Sequence, residues 1–400
     1  MMAKIKNIEA REIKDSRGDR TIEVELKTGR GSFAASCPSG KSMGKNEAAA
    51  LSVPRAIENV NKIIAVKLKG WAVTEQKAID DLMVKLDGTE NKSRLGANAI
   101  LPVSTAVCRA GAETKKIPLY RYIMEIGNWK MKNSNLRMPL PAFNFIEGGA
   151  HADNDLDIQE FMIMTEKKSF KENLILANKI FGNLKDILAK NYGPDLKTGD
   201  EGGFAPPISK TEQVFFLLKN AAGNEEIKII IDAAASQFFN NGKYFLEGKE
   251  LSRSELLDFY RDLAQRFPIV AIEDPFSEED WLGFQEMRKE MSNTIVIGDD
   301  LTTTNIKRIK EAQSKKACNG IIIKPNQIGT VTETIEAAKL AKSYGWKIIV
   351  SHRSGETMDN FIADLAVGVG TDFIKSGSPT QPERMVKYKR LLEIENELIR

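Results

Sequence analysis

From residue 157 to residue 377 the chain repeats one unit, a short apolar run followed by a longer amphipathic stretch. The runs are "DIQEFMIM", "IKIIIDA", "PIVAIED", "TIVIGDD", "GIIIKPN", "KIIVSHR" and "DFIKSG". Between the later ones lie "SELLDFYRDLAQRF", "NIKRIKEAQSKKA" and "VTETIEAAKLAKSYGW", with apolar residues at helical spacing. Strands that are apolar throughout and alternate with helices predict a parallel sheet buried on both faces. An open doubly wound sheet satisfies the same pattern. The number of units and the length favour a closed (β/α)8 barrel, which takes about 250 residues. No glycine-rich dinucleotide fingerprint follows any run, and "VGVGT" at residues 367–371 precedes a strand rather than opening a helix.

The first third reads differently. "KIKNIEAREIKDSRGDRTIEVELKTGRGSFAASC" alternates like strands and is broken by "DSRGD" and "KTGRG", which carry turn chemistry. Helices are expected over residues 47–62, 75–86 and 98–116, with Pro102 in the first turn of the last, where its missing N–H costs least. A boundary near Asn135, in the polar, proline-containing "NWKMKNSNLRMPLPAFNF", gives a smaller α+β domain at 1–135 and an α/β barrel at 136–400. Two domains also suit 400 residues, more than one comfortable core.

In a barrel of this kind the chemistry collects where the strands end. Six runs end in an ionisable residue: Asp232, Glu273, Asp299, Lys324, His352 and Lys375. One such residue alone reads as a helix N-cap or as surface. Asp232, Glu273 and Asp299 together are three carboxylates on neighbouring strands, which repel unless a cation sits among them. Oxygen ligands that leave room for water and substrate suit Mg²⁺. Lys324 follows on the next strand, and an amine desolvated beside a divalent cation is expected to have a lowered pKa and to serve as a general base. Glu160, and Glu201 in the glycine-rich "TGDEGGFAPP", are expected to face it as the acid side. Arg353 offers a planar fork for a phosphate, Ser354 a donor, and Lys375 further charge. The substrate is therefore expected to be a small phosphorylated acid.

Composition excludes other classes. The net charge of +3, from 58 basic against 55 acidic residues, is too balanced for a nucleic-acid or membrane-surface binder. No apolar stretch is long enough to span a bilayer, and no secretory h-region is visible. Three cysteines without a CxxC pair read as reduced thiols of a cytoplasmic protein.

With those residues in place, the chain resembles the enolases (phosphopyruvate hydratases) over nearly its whole length. "DSRG", "PSG", "LGANAIL", "PLYRYI", "GGAHADN", "QEFMIM", "GDEGGFAP", "PIVAIEDPFSEEDW", "GDDLT", "IIIKPNQIGT", "SHRSGET" and "IADLAVG" occur in that family's order. The resemblance implies reversible dehydration of 2-phosphoglycerate to phosphoenolpyruvate with two Mg²⁺ ions per site. It implies Asp232, Glu273 and Asp299 as ligands of the first ion and Ser39, in the lid loop "CPSGKSMG", as ligand of the second. By the same carry-over Lys324 takes the C2 proton, and Glu201, supported by Glu160, protonates the leaving hydroxyl. His151, Gln159, Arg353 and Ser354 contact the substrate, the last two at its phosphate; His352 and Lys375 assist near its carboxylate. An eight-stranded barrel whose early strands and helices are irregular in order, and a homodimer or dimer-based larger oligomer, are implied as well.

The chain departs from the family pattern in places. Lys41 replaces the lid alanine and is expected to approach the substrate phosphate. Glu147 stands for the asparagine before "GG", and "RSER" has become residues 381–384, "QPER". Two rivals remain: a paralogue acting on another small acid, or a catalytically retired enolase serving as a binding protein. The first commonly carries a K-x-K base motif on a barrel strand, whereas Lys67–Lys69 and Lys130–Lys132 precede the barrel here. The second requires the loss of a catalytic group, and none is lost.

Overall fold

A computed structural model describes residues 3–41, 44–129 and 136–399. The expected boundary at Asn135 and the Lys130–Lys132 pair lie outside the described residues.

The N-terminal part opens with an antiparallel meander of β1 (Asn7–Lys14), β2 (Arg20–Lys27) and β3 (Ser32–Ser36). Ile22, Val24 and Leu26 alternate inward on β2 and pack under Ile79 and Met83 of helix Gln76–Asp87 and Ile100 and Val103 of helix Ala97–Lys115. Two local expectations fail. Helix begins only at Val53, where Pro54 suits a first turn, because the chain just before it is tied elsewhere: the Ala48 N–H donates to the Gln327 carbonyl and Ala49 to Asn91. Pro102 sits inside its helix, past the first turn, and removes the bond that residue 102 would otherwise give the Asn98 carbonyl. The surrounding helix is buried on nearly every side, so tertiary packing outweighs that loss.

The second part adds β4 (Leu140–Glu147), β5 (Glu160–Met164) and β6 (Lys228–Asp232). A small hairpin sheet follows, β7 (Phe239–Asn240), β8 (Lys243–Leu246) and β9 (Lys249–Leu251). Then come β10 (Ile269–Glu273), β11 (Ile295–Gly298), β12 (Gly320–Ile323), β13 (Lys347–Ser351) and β14 (Phe373–Lys375). Among the described residues eight strands close into a barrel in the order β10-β11-β12-β13-β14-β4-β5-β6. The expectation of an all-parallel sheet is corrected at one strand, since β5 runs antiparallel to both β4 and β6. That reversal places the beginning of β5 at the rim where the other strands finish, and Glu160 lies opposite Asp232 and Glu147.

The barrel interior is filled by Met162, Met164, Ile230, Ala271, Ile297, Ile322, Ile349 and Phe373. A second apolar layer lies between the strands and the outer helices. With the lumen packed, ligand chemistry is confined to the mouth. No helix among the described residues is long and apolar enough to cross a membrane.

Candidate active site

The six ionisable residues do meet at one rim. Asp232, Glu273 and Lys375 are the last residues of β6, β10 and β14, and Asp299, Lys324 and His352 each follow a strand by one position. All of the expected site residues except Glu273, Asp299 and Ser39 line one pocket there.

Lys375 is at the centre of the acids. Its Nζ lies 3.0 Å from Asp232 Oδ2, 2.9 Å from Glu273 Oε2 and 3.2 Å from Glu160 Oε2. All four residues are buried. Burial opposes the ammonium, but Asp232, Glu160 and Glu273 hold its pKa well above the ordinary lysine value. Burial also pushes the Glu273 carboxyl well up, with the Asp232 charge adding to it. Two strands on from β10, Lys324 Nζ is bonded to Asp299 Oδ2, while Gln327 Nε2 donates to Asp299 Oδ1 at 2.9 Å. Lys324 was expected to have a lowered pKa. Burial does act downward, but the Asp299 carboxylate outweighs it and the net direction is up.

The donor set fits a divalent, oxygen-seeking metal. Glu160, Glu201, Asp232, Glu273 and Asp299 are buried here, and the buried Lys375 and partly buried Lys324 ammoniums among them balance only part of their charge. Asp232 and Glu273 clasp one ammonium and Asp299 the other. Among the described residues, trios of potential ligands with their atoms within 4.8 Å of one another are His151–Glu160–Glu201 and Asp274–Asp299–Asp300. Asp232, Glu273 and Asp299 are therefore not drawn to that spacing. The doubled acids in "IED" and "GDD" were the available signal for Asp274 and Asp300. Asp274 accepts from the backbone N–H groups of Asp299 and Asp300 at 2.9 and 2.7 Å and so fixes the loop that carries Asp299.

The acid side comes from β5 and from the loop carrying Glu201. His151 Nδ1 stands 3.4 Å from Glu160 Oε1 and 3.6 Å from Glu201 Oε1. His352 Nε2 lies 2.9 Å from Glu201 Oε2, and Asn144 Nδ2 donates to the same oxygen at 3.2 Å. Burial and the Glu201 charge push Glu160 well above the usual carboxylate range. Burial acts on Glu201 as well, but His352 and then His151 and Arg384 hold it well below. In this arrangement the proton of the pair belongs to Glu160. Gln159 reaches Asp232 Oδ2 through Nε2 at 3.3 Å and accepts from Gln237 at 2.9 Å.

Glu147 proves to hold this loop in place. It is fully buried, and its two carboxylate oxygens accept from the backbone N–H groups of Glu201 at 3.1 Å and Gly203 at 2.6 Å. Gly199 is needed for that approach, since a Cβ there would meet Glu147 Oε2 at 2.3 Å.

The loop of residues 37–41 rests on residues 353–355. Ser39 and Gly355 exchange backbone hydrogen bonds at 2.8 and 2.9 Å, and Gly40 lies so close to Arg353 that a Cβ would overlap its guanidinium. The Ser39 hydroxyl donates to Asp15 Oδ2 at 2.6 Å and accepts from Arg17 at 3.0 Å, away from the acid cluster. Ser354 Oγ accepts from the Lys41 N–H at 2.9 Å and from Arg17 at 3.3 Å. Arg353 presents its fork to Glu47, with contacts of 2.9 and 3.1 Å. Lys41 Nζ pairs with Asp200 Oδ2 at 3.1 Å, so the residue that pairs with it is next to Glu201 in sequence and is not a phosphate-binding group.

Comparison with known proteins agrees with this geometry. The family model described as "Enolase, N-terminal domain" matches residues 5–123, and "Enolase, C-terminal TIM barrel domain" matches residues 135–400. The chain is similar to "Enolase B" of Dictyostelium discoideum, with 48% identity over 424 aligned residues that cover 98% of this chain and 95% of that protein. A closed eight-stranded barrel behind a small α+β unit, acids and lysines gathered at its mouth, and these full-length matches together show that the chain belongs to the enolase family.

Proposed function

We propose that this chain carries out the enolase reaction, the reversible dehydration of 2-phosphoglycerate to phosphoenolpyruvate, with Lys324 as base and Glu201 as acid. One observation carries the reading. In the eight-stranded ring, β12 and β5 are four places apart, so Lys324 and Glu160 face each other across a single pocket. A base and a carboxylic acid on opposite sides of a small substrate are what proton abstraction at one carbon and hydroxyl loss at the next require.

Lys324 Nζ takes the C2 proton. Its pairing with Asp299 keeps it charged, so the base form needs that carboxylate engaged elsewhere. Two Mg²⁺ ions, one held by Asp232, Glu273 and Asp299 and the other by Ser39, would supply positive charge against the substrate carboxylate and make C2 more acidic. Glu201, ionised at rest, delivers to the leaving hydroxyl a proton that it first receives from Glu160. Glu160 holds the proton of the acid pair, and His151 stands between the two carboxyl groups. Arg353 and Ser354 bind the phosphate, the guanidinium exchanging Glu47 for phosphate oxygens. His352 and Lys375 complete the site near the substrate carboxylate, with His151 and Gln159 as further substrate contacts.

We further take the enzyme to be a cytoplasmic homodimer or dimer-based oligomer, with its domains divided at residue 135. The three free, buried cysteines suit a reducing compartment. The test is turnover of 2-phosphoglycerate by purified protein, with and without Mg²⁺, beside a panel of other small phosphorylated acids. Mg²⁺-dependent formation of phosphoenolpyruvate is expected to be the fastest reaction. A faster reaction with another acid, or no Mg²⁺ requirement, would overturn the reading.

A further inference from the structure

We propose that Arg384 is a positioning residue, which fixes the tautomer of His352 and through it which form of the ring, N–H or lone pair, faces Glu201. The inference rests on the reading of Glu201 as the acid. Arg384 sits in the first turn of helix Pro382–Ile399 and, among the described residues, heads the largest fully buried side chains. Its NH1 is 2.5 Å from His352 Nδ1 and donates to the Arg353 carbonyl at 2.6 Å. Its NH2 donates to the carbonyls of Asp200 at 2.9 Å and Ser354 at 2.8 Å, and Nε donates to Gln381 Oε1 at 3.3 Å. One guanidinium thus joins the segment 352–354 to the loop of Glu201.

The tautomer follows from donor chemistry. Guanidinium has five N–H donors and no acceptor, so a ring nitrogen against it must offer a lone pair. His352 Nδ1 is therefore unprotonated. In a neutral imidazole the proton is then on Nε2, which lies 2.9 Å from Glu201 Oε2. A second proton on Nδ1 would point into the Arg384 donor, so the imidazolium is disfavoured. The charged groups that act on His352 are Glu201, Arg384 and Lys375. Burial and the Arg384 charge, only partly opposed by Glu201, push His352 down to about 3. Among the described residues no carboxylate pairs directly with Arg384, so its buried charge acts outward, and it lowers the proton affinity of Glu201. His352 is thereby kept neutral, with its Nε2 proton on the ring edge that lies 2.9 Å from Glu201 Oε2.

The two histidines of the chain make the test direct, because ¹⁵N-histidine labelling yields only two rings to assign, with a His151→Gln variant to separate them. In the unaltered protein His352 is expected to show a bare Nδ1 and a protonated Nε2, unchanged from pH 5.5 to 9. A protonated Nδ1, or an imidazolium in that range, would overturn the proposal without any change at Arg384. In Arg384→Leu and Arg384→Lys the ring is expected to sample both tautomers or to titrate near the usual histidine range. In these variants kcat should fall about 10- to 100-fold with KM changing less, and the pH profile should gain a limb absent from the parent enzyme. Lost activity with the tautomer and pH profile unchanged would show that Arg384 serves packing alone and would overturn the proposal. An altered tautomer with unaltered kcat would uphold the assignment at His352 and overturn instead the reading of Glu201 as the acid.

Discussion

Asp80→Asn should make the protein more stable at neutral pH and leave it little changed near pH 4. Asp80, on helix Gln76–Asp87, is 1% exposed and ties the N-terminal part to the barrel. Its Oδ2 accepts from the Thr332 N–H at 3.0 Å and the Thr332 hydroxyl at 2.6 Å, at the start of helix Val331–Ser343, and Gln76 donates to it at 3.1 Å. Burial pushes its pKa from 3.8 up to about 6, and the hydrogen bonds from Thr332, Ser104 and Gln76 offset only part of that. A raised folded-state pKa means that the native chain holds the proton more tightly. The associated stability is fully present below 3.8, falls as the pH rises from 3.8 to about 6, and stays lost above that. At about 1.36 kcal/mol per pH unit the interval corresponds to about 3 kcal/mol. For 400 residues, at about 2.1 cal/mol/K of unfolding entropy per residue, that is about 3–4 °C in Tm. Asparagine cannot ionise and avoids the loss, while its carbonyl oxygen still accepts from Thr332. Paired thermal unfolding of parent and variant at pH 4, 5, 6, 7 and 8 reads the effect as a difference, in which other titrating groups cancel. A Tm difference that rises with pH and levels off above about 6 is expected. A flat difference, or one that falls as pH rises, would refute the placement of Asp80 as a buried, proton-holding carboxyl.

Two further outcomes follow from the site. Chelation should stop turnover and Mg²⁺ restore it, and Asp299→Asn should weaken Mg²⁺ binding by at least about tenfold, read by titration against activity; unchanged affinity would remove Asp299 from the metal site. Lys41→Ala should raise KM by less than about fivefold, because its partner is a half-exposed ion pair with Asp200 and not the phosphate. Asp200→Asn should have a similar effect on KM and add little to it in the double variant, whereas a large KM rise confined to Lys41→Ala would return the ammonium to the phosphate.

Much of the mouth was legible in the sequence because a buried strand is apolar to its last residue and then stops at a charge. Asp232, Glu273, Asp299, Lys324, His352 and Lys375 stood out for that reason. Strand direction is not legible in the pattern itself: an apolar run reads the same whichever way it crosses the sheet, so the antiparallel β5 looks like its parallel neighbours, and only the family resemblance points to irregularity among the early strands. The partners of the charges were also hidden. Nothing in "DFIKSG" says that Lys375 is held by three carboxylates, or in "IIIKPN" that Asp299 raises Lys324. Glu147, Asp274 and Arg384 act on backbone groups or on a ring supplied by other loops, and such contacts leave no periodic trace. Residues 47–52 have helical composition, but their hydrogen bonds to Gln327 and Asn91 come from distant chain, which local propensity does not record.

The division of labour between Lys324 and Glu201 is tested most directly by exchange of the substrate's C2 proton with solvent, followed separately from loss of the hydroxyl. Lys324→Ala should abolish exchange, because the group that removes the proton is gone. Glu201→Gln should slow dehydration far more than exchange, because the acid acts once C2 has given up its proton. Both variants should keep the parent's fold by circular dichroism. Equal loss of exchange in the two, or exchange that survives in Lys324→Ala, would contradict the assignment of base and acid to opposite sides of the barrel mouth.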